Sequence, residues 1–196
     1  MFRKLTFFIL LAPFVVSGQI LPYGPWSVCV TNNATMLPPA SLTAVLLQPV
    51  HPGVSVAYEF GWRKHEYYKW FQDAGISYSY HRFVSQAVVI STRAGYRRSL
   101  GALSFEASLL AGYMHMFLLT ERAVQRSDGT WEPKKGFGKP QFVTGAGLGA
   151  GWDVGTEDTM RRILINYDFR IQLPFVKNYV PLLPGGLLSL GFQFTL

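Results

Sequence analysis

The sequence predicts an all-β fold: a closed antiparallel transmembrane β-barrel of eight strands, with short periplasmic turns and longer extracellular loops. Three observations predict it. The chain of 196 residues is 49% apolar and 15% aromatic but only 15% charged, against about 25% charged in soluble domains. Apolar residues recur at a spacing of two, the strand period, over long runs. Beyond the N-terminus no stretch of about 18 consecutive apolar residues offers a spanning helix, since the longest candidate, Ala107 to Leu119, is broken by Ser108, Gly112 and His115.

The elements follow in chain order. Arg3 and Lys4, the apolar run Leu5 to Val16, and Val16-Ser17-Gly18 have the layout of an export signal over residues 1–18, cut ahead of Gln19. About 12 apolar residues are too few to cross a bilayer, which argues against an anchor. Removing Arg3 and Lys4 takes two positive charges from a net +7. Residues 19–40 are read as an N-terminal periplasmic segment and residues 41–196 as the barrel. Ser41 to Pro49 is the expected first strand, with Trp26 to Thr31 as the alternative; neither alternates well, and Pro38, Pro39, Pro49 and Pro52 suit edges or turns. A single cysteine, Cys29, excludes a disulfide framework and a thiolate metal site.

Three later runs are the clearest. In Val54 to Arg63, the residues Val54, Val56, Tyr58, Phe60 and Trp62 oppose Ser55, Ala57, Glu59, Gly61 and Arg63. In Arg162 to Leu173, Ile163, Ile165, Tyr167, Phe169, Ile171 and Leu173 oppose a largely polar set, and Leu188 to Leu196 repeats the pattern. Every residue of one face is apolar; on the other, only Ala57 and Leu164 are. Weaker alternation marks Lys69 to His81, Val88 to Arg97, Ala102 to Phe117 and Gln141 to Asp153. Runs this long exceed the mean soluble strand of about 5–6 residues and match the roughly 9–11 that cross a bilayer. In lipid every backbone polar group needs an internal partner, so such strands persist only in a closed barrel, polar face inward. A soluble sandwich or lipocalin-like barrel is the competing reading.

The connections give direction. Links at residues 64–67, 98–101 and 155–158 are short, whereas Leu119 to Pro140 and Pro174 to Gly185 are long. With long loops outside and short turns periplasmic, the last strand ends in the periplasm. Seven runs are visible, so parity requires an eighth before Val54. An eight-stranded barrel is filled by its own side chains and has no wide channel.

With these features the chain resembles the small outer-membrane β-barrel proteins of Gram-negative bacteria, of the OmpA/OmpX-like size class. The signal, the alternating runs and the ending Gly191-Phe192-Gln193-Phe194-Thr195-Leu196 carry the resemblance. That ending resembles the C-terminal β-signal read by the barrel-assembly machinery, which implies an assembly role for Phe192, Phe194 and Leu196; Leu196 stands where a Phe is usual. Pro49 to Gly53 with Val54 to Phe60 also resembles uncharacterised barrel proteins of the Bacteroidota. The implied location is the cell outer membrane, integral after signal cleavage. The implied partners are outer-membrane lipid and lipopolysaccharide.

The polar face places Glu59, Arg63, Asp73, His81, Arg93, Arg97, Glu106, Asp153, Arg162, Asp168 and Arg170 in or near the lumen. Unpaired charges in a dry interior cost several kcal/mol each, roughly, so the residues are read as a paired charge network. A narrow ion path is the alternative. Gly145, Gly147, Gly149 and Gly151 leave room for long arginines opposite. A lipid A deacylase needs a histidine, a serine and an acid together; His81 with Ser79 or Ser85 and Glu106 is the candidate set, and its order differs from His-x-Ser. His51, His65 and His115 make no metal pattern, and no cofactor is expected. Tyr67, Tyr68, Trp70, Tyr113, Trp152, Tyr167 and Tyr179 suit the membrane interface. Arg122, Arg126, Lys134 and Lys135 in the long loop suit electrostatic contact with lipopolysaccharide phosphates. Export removes the chain from nucleic acid, and no recognition module is present. The leading reading is a non-enzymatic outer-membrane barrel, structural or an accessory subunit of a larger outer-membrane complex. A lipid A-modifying enzyme or a narrow pore is the alternative.

Overall fold

The computed structural model of the chain describes residues 24–35, 49–65, 67–82, 85–119, 122–125, 129–134, 137–155, 161–174 and 181–195. Among these, ten strands form: β1 (Trp26–Thr35), β2 (Pro52–Lys64), β3 (Tyr68–His81), β4 (Ser85–Leu100), β5 (Leu103–Leu118), β6 (Arg122–Gln125), β7 (Trp131–Lys134), β8 (Lys139–Asp153), β9 (Arg161–Leu173) and β10 (Leu183–Phe194). Eight of them close an antiparallel barrel in the order β1-β10-β9-β8-β5-β4-β3-β2. Closure comes from β1, which pairs with β10 from Trp26↔Phe194 to Thr35↔Gly185 and with β2 from Trp26↔Tyr58 to Asn32↔Pro52. No helix among the described residues is long and apolar enough to cross a membrane; this wall is built of strands.

The first strand is the alternative, not the favoured candidate: Trp26 to Thr31 forms a strand that continues to Thr35, inside the segment read as periplasmic, and residues 41–48 of the favoured candidate lie outside the described residues. The alternation is present once the partners are known. Trp26, Val28 and Val30 stand exposed on the outer surface, while Cys29 and Thr31 are buried inside. A thiol counts as apolar in a hydropathy pattern but here occupies a lumenal place, which blurs the period.

The remaining strands overlap the predicted runs and extend most of them. The turn end of the barrel joins β2 to β3, β4 to β5 and β8 to β9; the loop end carries the long connections. Within one of these, β6 and β7 form a separate hairpin, Arg122↔Lys134 to Gln125↔Trp131, which the sequence reading treated as loop. A bulge between Gly61 and Arg63 shifts the β2–β3 register.

Most of the large apolar side chains face outward. Val30, Ile90, Leu109, Leu148 and Leu190 are 52–70% exposed around mid-wall, where a soluble fold would bury such residues. Aromatic rings flank this band. At the turn end Trp26 meets Tyr58 edge-on at 5.1 Å, Tyr68 stacks on Tyr96 at 5.8 Å and Trp70 meets Tyr96 at 5.2 Å. At the loop end His115 lies 4.7 Å from Phe117 and 6.1 Å from Tyr113. Tyr67, Trp70, Tyr113 and Trp152 are exposed, while Tyr68 and Tyr167 are half-buried. Tyr179 lies outside the described residues.

Candidate functional site

Alternation sends every second side chain into the lumen, and there the charges meet. Glu59 on β2 accepts from Arg97 on β4 twice, Nη2 to Oε2 at 2.6 Å and Nη1 to Oε1 at 3.2 Å. Glu59 also accepts from Lys69 Nζ at 2.5 Å and from Gln193 Nε2 at 2.9 Å. Arg97 in turn reaches Glu106 Oε2 through Nη2 at 3.1 Å, and Glu106 Oε1 accepts from Arg162 Nη2 at 3.1 Å. Arg162 Nε lies 3.8 Å from Asp153 Oδ1. The result is one chain of alternating charge, Lys69–Glu59–Arg97–Glu106–Arg162–Asp153, drawn from six strands. Phe71 packs beneath it, with the Arg97 guanidinium 4.7 Å above the ring centroid.

A second group sits at mid-wall. Arg93 Nη2 donates to Asp168 Oδ2 at 3.2 Å and Arg93 Nε lies 3.7 Å from Asp73 Oδ2. Arg170 Nη2 lies 3.8 Å from the same Asp168 oxygen. Arg93 and Asp168 stand on β4 and β9, which share no edge, so this contact crosses the lumen. Each carboxylate faces at least one guanidinium, the condition under which buried charge is tolerated.

Between the two groups lies a cavity of about 60 Å³ lined by Ser27, Cys29, Ser55, Arg93, Arg170 and Ser189, among others. Arg93 Nε, Arg170 Nε and Asp168 Oδ1 are buried without a hydrogen-bond partner. A polar space of this size suits a few water molecules, each of which needs roughly 10–15 Å³ and two to four partners.

Toward the loop end the lumen changes character. Ala87, Val89, Leu110, Met114 and Val143 form a buried cluster with Met116 against it. The inward face is therefore polar near the turn end and mid-wall, but above it this apolar cluster sits beside the buried Ser85, Gln141 and Gln172, a departure from the uniformly polar lining the alternation suggested. Two glycine positions accommodate the charges. A Cβ on Gly151 would overlap the Arg162 guanidinium and one on Gly147 would overlap the Asp168 carboxylate.

Of the predicted lumenal residues, Glu59, Asp73, Arg93, Arg97, Glu106, Asp153, Arg162, Asp168 and Arg170 thus lie in these two groups. The Arg63 side chain lies outside the described residues. His81 stands apart at the loop end, its ring stacked on His51 with centroids 3.7 Å apart and Nδ1 3.4 Å from the Arg82 carbonyl oxygen. Glu106 is near the turn end and bound to two arginines, so the acid considered for a His81-centred triad lies at the wrong end of the barrel. Among the described residues no three His, Cys, Asp or Glu side chains cluster as metal ligands. Sequence reasoning missed Lys69, Phe71 and Gln193 as members of the charged layer. Lys69 and Phe71 share their parity with Asp73, and Gln193 shares its parity with Ser189; that was the available signal. Of the C-terminal residues, Phe192 faces outward and stacks with Phe194 at 6.2 Å, and Leu196 lies outside the described residues.

No family model and no curated protein matches the chain. Solved structures do. Ail, the attachment invasion locus protein of Yersinia pestis, aligns with a TM-score of 0.51 at 11% identity, covering 89% of this chain and 98% of that one. The same values hold for Ail in complex with the heparin analogue sucrose octasulfate. Neisserial surface protein A aligns at 0.48 and 14% identity, over 87% of this chain and 94% of that one. At this identity the likeness to Ail establishes the fold, an eight-stranded barrel of the outer-membrane type.

Proposed function

We propose that the protein is an integral outer-membrane β-barrel without enzymatic activity, a structural or accessory component of the envelope. One observation carries the reading: an outward apolar band surrounds a lumen filled by charge pairs below and by an apolar cluster with buried glutamines above. The band demands lipid, because exposing it to water would forfeit about 25 cal/mol for each Å². The filling favours a wall over a conduit. Export with cleavage after residue 18 and insertion by the barrel-assembly machinery, reading Phe192, Phe194 and Leu196, complete the proposal.

Extraction in mild detergent, followed by identification of co-purifying chains and lipids, tests it. Recovery with a stable stoichiometric protein partner supports the accessory role, and recovery as a lone chain removes that role while leaving the structural one. Ready solubility without detergent overturns both. Lipopolysaccharide is the expected lipid partner of the β5–β8 connection, whose sequence carries Arg122, Arg126, Lys134 and Lys135 against Glu121, Asp128 and Glu132 and so has a net positive charge. The complex of Ail with a sulfated sugar is a precedent, on a shared fold, for polyanion recognition by such a barrel. Tighter association with vesicles containing lipopolysaccharide than with neutral phospholipid vesicles, lost at high salt, is the expected result.

A further inference from the structure

On the outer surface at the loop end, one histidine fixes a residue of the longest loop. His115 belongs to the outward face of β5, between Tyr113 and Phe117. Both ring nitrogens are engaged: the Tyr113 hydroxyl lies 2.8 Å from Nδ1 and the Phe137 carbonyl oxygen 2.8 Å from Nε2. A carbonyl only accepts, so Nε2 carries the proton and donates to Phe137, while Nδ1 accepts from Tyr113. The partners on either side thus select one neutral tautomer.

The next residue makes the approach possible. Gly138 has φ +90° and a Cβ there would stand 2.6 Å from His115 Nε2, so glycine meets both the backbone and the steric requirement. The outcome is unusual for a large apolar side chain: Phe137 is 92% exposed, its ring edge-on to His115 at 6.1 Å. Its neighbours on the wall, Tyr113 and Phe117, are themselves outward and exposed at 48% and 41%. A ring held in the open by a backbone hydrogen bond and a left-handed glycine is poorly placed for water and well placed for an apolar medium continuous with the wall.

We propose that Phe137 is a lipid anchor. Its ring enters the leaflet at the loop end among acyl chains, extending the apolar band of β5. His115 acts as the positioning residue, holding the Phe137 carbonyl so that the loop between β5 and β8 is drawn onto the membrane surface. The inference rests on the membrane-wall reading and adds a named partner, the acyl region of a phospholipid or lipid A, to the loop.

Site-directed spin labelling in phosphatidylcholine vesicles tests it. In a Cys29→Ser background, single cysteines replace Phe137, Leu109 in mid-wall, or Thr130 in the exposed loop, each bearing a nitroxide. The expected result is a label at 137 that collides several-fold more with oxygen than with a water-soluble nickel chelate, as at 109 and opposite to 130. Adding His115→Ala should return the 137 label to water. A lipid-facing 109 with a water-facing 137 overturns the anchor alone, whereas a water-facing 109 overturns the membrane wall and the anchor with it. A second measurement keeps Cys29 in place: tryptic cleavage after Arg126 in vesicles should speed up several-fold in Phe137→Ser and in His115→Ala, and unchanged cleavage in both overturns the proposal.

Discussion

Arg97 grips Glu59 through two hydrogen bonds, at 2.6 and 3.2 Å, across the gap left by the intervening strand β3. Neither residue serves the other alone. Glu59 also holds Lys69 and Gln193, and Arg97 also holds Glu106, so the pair is the junction through which six strands share one line of charge. A barrel this narrow has no separate hydrophobic core at that level. The ion pairs take its place.

Removing one member of a buried pair leaves the other uncompensated, a loss of about 3–5 kcal/mol, whereas replacing both by well-packed apolar groups is often far less costly. We expect Glu59→Ala and Arg97→Met each to destabilise strongly, and the double variant to cost clearly less than the sum. Equilibrium unfolding in denaturant from detergent micelles measures the cycle. Additive losses would mean that the junction is not a coupled unit.

The lumen is blocked twice in series, by the charge line near the turn end and by Leu110, Met114, Val143, Val89 and Ala87 toward the loop end. Deleting one block leaves the other. The expected outcome in planar bilayers is no unitary conductance for the native chain and none for Arg97→Ala. Discrete current steps in the native chain would establish a pore, and steps confined to Arg97→Ala would show that the apolar cluster is no seal.

How much of this was legible in the sequence follows from what a period of two can report. It distinguishes faces, so Val54 to Phe60 and Ile163 to Leu173 gave their orientation directly. It does not report partners. The first strand, Trp26–Thr35, ranked only as the alternative because Cys29 reads as apolar and because its evidence lies in pairing with β2 and β10, residues far along the chain. Nor does a period say which lumenal charges meet. Glu59 and Gln193 are 134 positions apart, and only the closing of β1 against β10 brings them together. The apolar part of the upper lumen was obscured for a related reason: Leu110 and Met114 sit where β5 is apolar on both faces, and Val143 shares its face with the glycines of β8, so the alternation fades.

Facing is testable in the wall itself. Leu190 is 52% exposed on β10 and Phe192, nearer the turn end, 37%. An arginine on the lipid face costs about 2–4 kcal/mol at the bilayer midplane and about 0–1 near the interface. Leu190→Arg should therefore slow or block folding into vesicles more than Phe192→Arg, read as the folded fraction against time. Normal insertion of both variants would mean that these side chains do not face acyl chains.

Acidification should loosen the loop end through His51, which precedes β2 and is nearly buried. Its backbone N–H donates to Asn32 Oδ1 at 2.9 Å, its Nδ1 lies 3.1 Å from the Asn33 carbonyl oxygen, and its ring stacks on His81. Burial holds its pKa below the ordinary histidine value, repulsion from a charged His81 lowers it further, and the bond to Asn33 opposes both. Arg82, next to His81, adds positive charge on the same side. The sign follows: a group that prefers to stay neutral when folded binds its proton more readily in the open or unfolded state. Stability is then full above the ordinary value of about 6.5 and is lost as the pH falls through the lowered one. Proteolysis of the connection between β1 and β2 should accelerate from pH 8 to pH 5 in the native chain, and the acceleration should shrink in His51→Asn, which keeps a polar group but cannot titrate. Equal acceleration in both would assign the effect to other groups.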